Sequence, residues 1–179
     1  MADTQRTLAE LLALFANNTT GNISPQDMRD LIVSLRPSGG GLYKSGAAVA
    51  TVIDTVNVAK LVNIEATGIN YGINFTPTTA GRLTYIGTIP KFVFVHSTIA
   101  FTAGNNKLIS FRIAVNGVSI PESRMPRFVS NGADVGALAL EWSIEIQPND
   151  YIEVFVVNET DDSDVTVEAL YFSVAGTLT

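Results

Sequence analysis

One histidine, no cysteine and a few acidic groupings are all that this chain of 179 residues offers to chemistry. Acid–base work by His96 would need an orienting carboxylate and a reacting partner placed by a motif, whereas its neighbours Val95 and Ser97 belong to a β-branched run. A strand residue with a structural role fits better. The chain has no Gly-x-Ser-x-Gly elbow, no His-Glu-x-x-His and no glycine-rich phosphate loop. Asp161-Asp162-Ser163-Asp164 presents oxygens to a cation such as Ca²⁺, but it lacks the glycine and distal glutamate of an EF-hand loop and reads as a solvated turn. Glu141, Glu145 and Glu153 would have to line a cleft to act as a hydrolase pair. Glu141 and Glu145 instead fall on the polar face of one strand, where charge is expected anyway. These residues predict no catalytic site, no cofactor site and no metal site, so the protein is not expected to be an enzyme.

Composition narrows the class further. Charged residues are only 16% and hydrophobic ones 46%, which suggests that part of the surface is covered by partners. The last basic residue is Arg127, and ten acids follow it from Asp134 to Glu168 with nothing to balance them. That half would repel a phosphate backbone, so nucleic acid is not an expected partner. No run of 18 apolar residues appears, and Asp3 follows Met1 where a secretory leader would carry a basic region, so neither membrane insertion nor secretion is expected. The lack of cysteine suits the cytosol or a particle that is stable without redox help, and without an expected secretory route the five Asn-x-Ser/Thr sequons mean little.

The elements that would position any site change character along the chain. Thr7 with Glu10 predicts a capping box and a helix over about 7–16, with Leu8, Leu11, Leu12 and Phe15 on one face. Asn17 to Asn22 stops it. Ser24-Pro25-Gln26-Asp27 starts a second helix, whose stripe is Met28, Leu31, Ile32 and Leu35. Residues 1–37 thus read as a helical docking segment and 38–48, with Gly39-Gly40-Gly41, as a flexible linker. Two short helices cannot bury both stripes alone. They either fold back on the rest of the chain or dock on a partner through those eight residues.

Residues 49–179 change to strand patterning. Val49 to Val62 predicts one or two strands, 63–80 mostly loop, and Lys91 to Thr102 a long strand apolar on both faces, with Phe92 and Phe94 on one of them. Asn116-Gly117 is a hairpin signal between Leu108–Val115 and the stretch that follows, where Pro121 and Pro126 require an edge or a bulge. Arg124 and Arg127 flank Pro126, either in a solvated loop or facing the acidic half of a neighbouring copy. Leu138 to Ile146 has one wet face, and Val165 to Val174 changes phase near Glu168-Ala169, which predicts a bulge. In Tyr151-Ile152-Glu153-Val154-Phe155-Val156-Val157 both faces are apolar. Such a strand is expected to lie between the core and a second apolar surface, supplied by another copy of the chain.

About eight such strands without an intervening helix predict an all-β jelly-roll sandwich. Gly81-Arg82-Leu83-Thr84-Tyr85, Phe111 to Gly117, Ile120-Pro121-Glu122-Ser123 and Pro148 to Val154 resemble a domain of structural proteins of tailed bacteriophages: tail fibres, head fibres and small decoration proteins. Asn149 to Val154 also resembles the penultimate strands of C1q- and TNF-like jelly rolls, which are homotrimers with the corresponding strands lining the three-fold axis. Thr20 to Asp27 with Arg29-Asp30 is similar to a short N-terminal segment of phage virion proteins.

The resemblance implies a homotrimer with Phe92, Phe94, Tyr151, Glu153, Phe155 and Val157 at its interface, and with N-terminal arms bound to the major capsid protein or another virion part. It further implies a virion location after synthesis in the host cytoplasm. The role would be capsid decoration, cement or head fibre; the alternative is a receptor-binding module of a short tail fibre or spike acting through loops 131–136 or 159–164.

Overall fold

A computed structural model describes residues 3–15, 21, 23–64, 66–78, 81–131 and 133–176. Two helices, α1 (Leu8–Phe15) and α2 (Pro25–Leu35), precede the strands. Both begin as their caps dictate. Thr7 N donates to Glu10 Oε2 at 2.8 Å and Glu10 N to Thr7 Oγ1 at 3.2 Å, and Ser24 and Asp27 make the same reciprocal pair at α2. The turn expected over Asn17 to Asn22 lies outside the described residues except for Gly21, whose φ of 71° suits a turn.

The strands are β1 (Ser38–Ser45), β2 (Ala50–Thr51), β3 (Lys60–Leu61), β4 (Ala66–Ile73), β5 (Phe75–Pro77), β6 (Leu83–Tyr85), β7 (Lys91–Thr102), β8 (Lys107–Val115), β9 (Val118–Ser119), β10 (Met125–Val129), β11 (Gly136–Ile146), β12 (Tyr151–Asn158) and β13 (Val165–Gly176). Among the described residues they form two antiparallel sheets. One has six strands in the order β11-β7-β13-β1-β4, with β2 beside β13. The other has seven in the order β10-β8-β12-β6-β5, with β3 beside β12 and β9 beside β8. Between them lies one core, where Phe101 and Phe111 meet at 4.9 Å between ring centres and Leu42, Val95, Phe172, Ile113 and Val154 interdigitate. Each such side chain contributes about 1.5–3 kcal/mol. The bulge in β13 falls between Val167 and Ala169, where the change of phase requires it.

Two expectations are corrected. Residues 38–45 are a strand between β13 and β4, buried over 38–42, not a flexible linker. Glycine is used there for closeness: a Cβ on Gly40 would stand 2.6 Å from Phe75 Cβ, and one on Gly39 2.9 Å from Val174 O. Residues 66–73 and 75–77, expected to be mostly loop, are strands β4 and β5. In β4 the ring of Tyr43 lies over Gly68, its partner across the strands, and Gly72 lets the Phe75 backbone approach closely.

Chain direction sorts the connections to two ends of the sandwich. At the base, Tyr85 N donates to Asp150 O and Ile86 N to Asn74 O, and the Asn116-Gly117 turn meets Tyr151. Both turn residues have positive φ, 53° and 77°, as a tight hairpin demands. At the opposite, distal end lie the connections around 103–106, 130–135 and 159–164.

Candidate interaction surfaces

The helical segment sits at the base. Thr88 N donates to Gln5 Oε1 at 3.5 Å, and a recess there is lined by Asp3, Gln5, Val33, Arg36, Ile86 and Thr88. What holds the segment together is polar. Buried Asp30 accepts Thr4 N at 2.9 Å, Gln26 Nε2 at 2.7 Å and Arg6 Nε at 2.8 Å, while Arg6 N donates to Ser34 Oγ. The backbone hydrogen bond from Thr4, then those of Gln26 and Arg6, keep the Asp30 carboxyl below its ordinary range. Sequence reading passed over this cluster, although Gln26, Asp30 and Ser34 recur at four-residue spacing along α2.

The apolar stripes stay largely outside. Leu12 is 62% and Ile32 66% exposed; Leu8, Met28 and Leu35 are also exposed, Phe15 and Leu31 half-buried. Leu11 alone among the eight is buried, at 5%, and it is not part of the core between the sheets.

The outer face of the six-stranded sheet is a second open surface. Phe92 and Phe94, expected to be covered, are 39% and 53% exposed and pack edge to face at 5.5 Å. Register places Ser143, Ala175 and Glu145 around them, with His96 beside Glu141 and Ser173. His96 Nδ1 lies 3.5 Å from Glu141 Oε1, both largely exposed, while the nearby Ser97 hydroxyl donates to Tyr171 O at 2.9 Å on the other side of the strand. His96 and Glu141 thus form a contact between adjacent strands, with Ser173 across from the imidazole on its other side. Two shallow recesses open on the face, one bounded by Phe94, His96, Glu141 and Trp142, the other by Thr98, Ala100, Ala137, Ala169 and Tyr171.

The outer face of β12 is different. Ile152, Val154 and Val156 enter the core, and Tyr151, Glu153, Phe155 and Val157 point away from it. Glu153 and Val157 are nevertheless fully buried within the single chain, so neither offers surface to a second copy. Arg82 supplies much of the cover: its guanidinium carbon stands 4.6 Å over the Tyr151 ring, and Nε donates to Glu153 Oε1 at 2.6 Å. Gly117 N donates to the other carboxylate oxygen at 3.1 Å. Farther along, Arg112 lies beside Phe155 and Ser110 beside Val157, with Glu159 accepting from Ser110 and from both arms of Arg124. Long polar side chains lying across apolar ones do the work expected of a sister molecule. The expected interface residues are thereby divided: Phe92 and Phe94 face outward from one sheet, half-buried Tyr151 and Phe155 from the other.

At the distal end the acidic turn is closed by its own chain. Lys107 Nζ pairs with Asp161, Asn158 Nδ2 donates to Asp161 Oδ1, and Asp164 Oδ1 accepts Ile53 N. The hydrogen bond from Lys107, then that of the Ser163 backbone, holds the Asp161 carboxyl far below its ordinary range. Among the described residues no three His, Cys, Asp or Glu side chains are grouped to hold a metal ion, and no helix is long and apolar enough to cross a membrane.

This architecture has counterparts among solved structures. Murine APRIL at pH 5.0 superposes with a TM-score of 0.54 at 9% identity, covering 79% of this chain and 99% of its own. The PRD1 vertex protein P5 superposes at 0.50 with 9% identity, over 79% of this chain and 97% of its own.

The fold is a jelly roll of the TNF and C1q type.

The globular domain of zebrafish complement 1qA also matches, at 10% identity with a TM-score of 0.47, over 80% of this chain and 98% of its own. No family model and no curated protein sequence matches the chain. At such identities the likeness concerns the backbone path, which the alternation of strand residues carries without shared side chains.

Proposed function

We propose that this protein is a non-enzymatic structural component of a phage virion, a homotrimeric capsid decoration, cement or head-fibre protein held in place by its N-terminal helices. The observation that carries this reading is the exposed stripe of Leu8, Leu12, Met28, Ile32 and Leu35 on a segment that meets the base of the jelly roll at Thr88. A stripe this apolar on a short helical pair is a docking surface by its chemistry, and its partner is another virion protein such as the major capsid protein. The division of the chain into a docking segment and a trimerising jelly roll belongs to this reading, and so does the virion location. Likeness of fold to a phage vertex protein supports it. So does the outer face of the six-stranded sheet, where Phe92, Phe94 and the alanine-lined recess form the surface through which copies associate. Tyr151 and Phe155 are secondary contributors. Three linked arms gain effective concentration, raising avidity by about 10² to 10⁴-fold over one arm when all engage together.

The test is binding of the purified chain to emptied heads, with light scattering for its mass. A trimer that binds heads, and loses binding when residues 3–35 are removed, supports the reading; a monomer, or binding unaffected by the deletion, overturns it.

A second reading, a receptor-binding module of a short tail fibre or spike, is favoured by one observation: loops 130–135 and 159–164 gather at the end opposite the helices. Binding to host cells with none to heads supports that alternative.

A further inference from the structure

We infer that the recess between the helical segment and the base of the jelly roll takes a carboxylate side chain, an Asp or Glu of the docking partner, whose apolar neighbours lie in the groove beside it. The inference rests on the reading that the helical segment docks on another virion protein, and it deepens that reading by naming the chemistry of the segment that binds.

Two donors without acceptors lead to it. Gln5 Oε1 accepts Thr88 N at 3.5 Å, which fixes the orientation of the amide, because a backbone N–H calls for the carbonyl end. Gln5 Nε2 is thereby turned away from Thr88, and it is buried with no hydrogen-bond partner among the described residues. Such a donor is uncommon in a folded chain and marks a place where an acceptor belongs. Arg36, the C-cap residue of α2, lines the same recess. Most Lys and Arg side chains meet a carboxylate of the same chain. Arg36 is exposed and pairs with none among the described residues.

The other lining residues leave these two donors unmet. Asp3 brings the one carboxylate among them, and its Oδ1 is engaged by Arg29 Nε at 3.3 Å and Gln26 Nε2 at 3.4 Å. Asn74 gives its Nδ2 to Ser38 Oγ, and its backbone oxygen accepts Ile86 N. An amide N–H and a guanidinium on one recess select an acceptor that carries negative charge, and the guanidinium fork matches the two oxygens of a carboxylate. The recess holds about 200 Å³, below the roughly 300–1,000 Å³ of sites for small organic ligands, so it suits one functional group rather than a metabolite.

The adjoining surface supplies the rest of the occupant's chemistry. Val33 and Arg36 also border a shallow apolar groove with Ile32 and Leu35, so the two depressions share a wall. A free carboxylate has no part for that groove to hold; an acidic side chain flanked by apolar ones fills both. The groove then provides area, and the recess sets the register, since any other residue there leaves Gln5 and Arg36 unmatched.

Attachment of the full chain to emptied heads tests this, with circular dichroism to establish that each variant folds. Coupling the heads' carboxylates to a neutral amine removes their charge, and it is expected to raise the wild-type dissociation constant about tenfold or more. On untreated heads Arg36→Gln should do the same. So should Gln5→Glu, which keeps an acceptor for Thr88 N but replaces the unmatched donor with an anionic oxygen. On treated heads Arg36→Gln should bind as the wild type does, because a contact already lost cannot be lost again. Wild-type binding indifferent to the treatment, unchanged binding of both variants to untreated heads, or treated heads that still separate Arg36→Gln from wild type by the same factor overturns the inference while leaving docking through the apolar stripe standing. A wild-type chain that binds no heads overturns both.

Discussion

Arg82 Nε lies 2.6 Å from Glu153 Oε1, an ion pair in which the base is partly exposed and the acid fully buried. That asymmetry makes the two residues unequal in what they risk. Replacing Arg82 with alanine leaves a buried carboxylate with Gly117 N as its remaining donor and uncovers the Tyr151 ring. The expected loss is about 3 kcal/mol in urea unfolding. Arg82→Met with Glu153→Gln should recover most of it, because the second change removes the stranded charge.

Gly40 separates a packed strand from a tether. A side chain there meets Phe75 Cβ, so Gly40→Val is expected to destabilise by about 2 kcal/mol or more through overpacking. In a flexible linker the same change would be silent. The shift of the thermal midpoint in Gly40→Val measures the difference.

The helical stripe is expected to divide stability from binding. Leu12→Asp with Ile32→Asp alters two exposed positions and should change folding stability by no more than about 0.5 kcal/mol while abolishing attachment to the particle. Leu11→Ala, at the buried position of the same helix, should lower stability. Unfolding curves paired with head-binding measurements check both outcomes.

Two buried groups on the core side predict opposite alkaline behaviour. Burial lowers the pKa of Lys91, so in that window the unfolded chain holds more protons than the folded one and stability rises with pH, until the ordinary lysine value of about 10.4 is passed. Burial pushes Tyr85, which donates to Ile89 O, up to about 12, so the folded chain holds the extra proton above the ordinary tyrosine value and stability falls from about pH 10 upward. Stability measured by urea titration should therefore climb and then drop across the alkaline range. Lys91→Met should remove the climb and Tyr85→Phe the drop.

On the acid side, hydrogen bonds from Arg124, then from Ser110, hold the Glu159 carboxyl below its usual range against the opposing effect of burial. Its contribution is present above the ordinary glutamate value and is lost as pH falls through the depressed folded one. Arg124→Ala should flatten that part of the acid unfolding profile.

Local chemistry alone determined the capped starts of both helices, the Asn116-Gly117 hairpin, the bulge between Val167 and Ala169 and the jelly-roll class, because each depends on residues adjacent in sequence or on a period of two along one strand. The helical stripes were legible for the same reason. Tertiary structure decided the rest. Whether Gly39-Gly40-Gly41 is a tether or a strand depends on how closely Phe75 and Val174 approach from elements distant in sequence, and glycine suits both. Whether the outer side of Tyr151 to Val157 is covered by a sister chain or by its own depends on Arg82, Arg112 and Arg124, whose long stems reach it only once separate strands are brought together. Apolarity in a sequence states that a surface must be covered; only three-dimensional packing states by what.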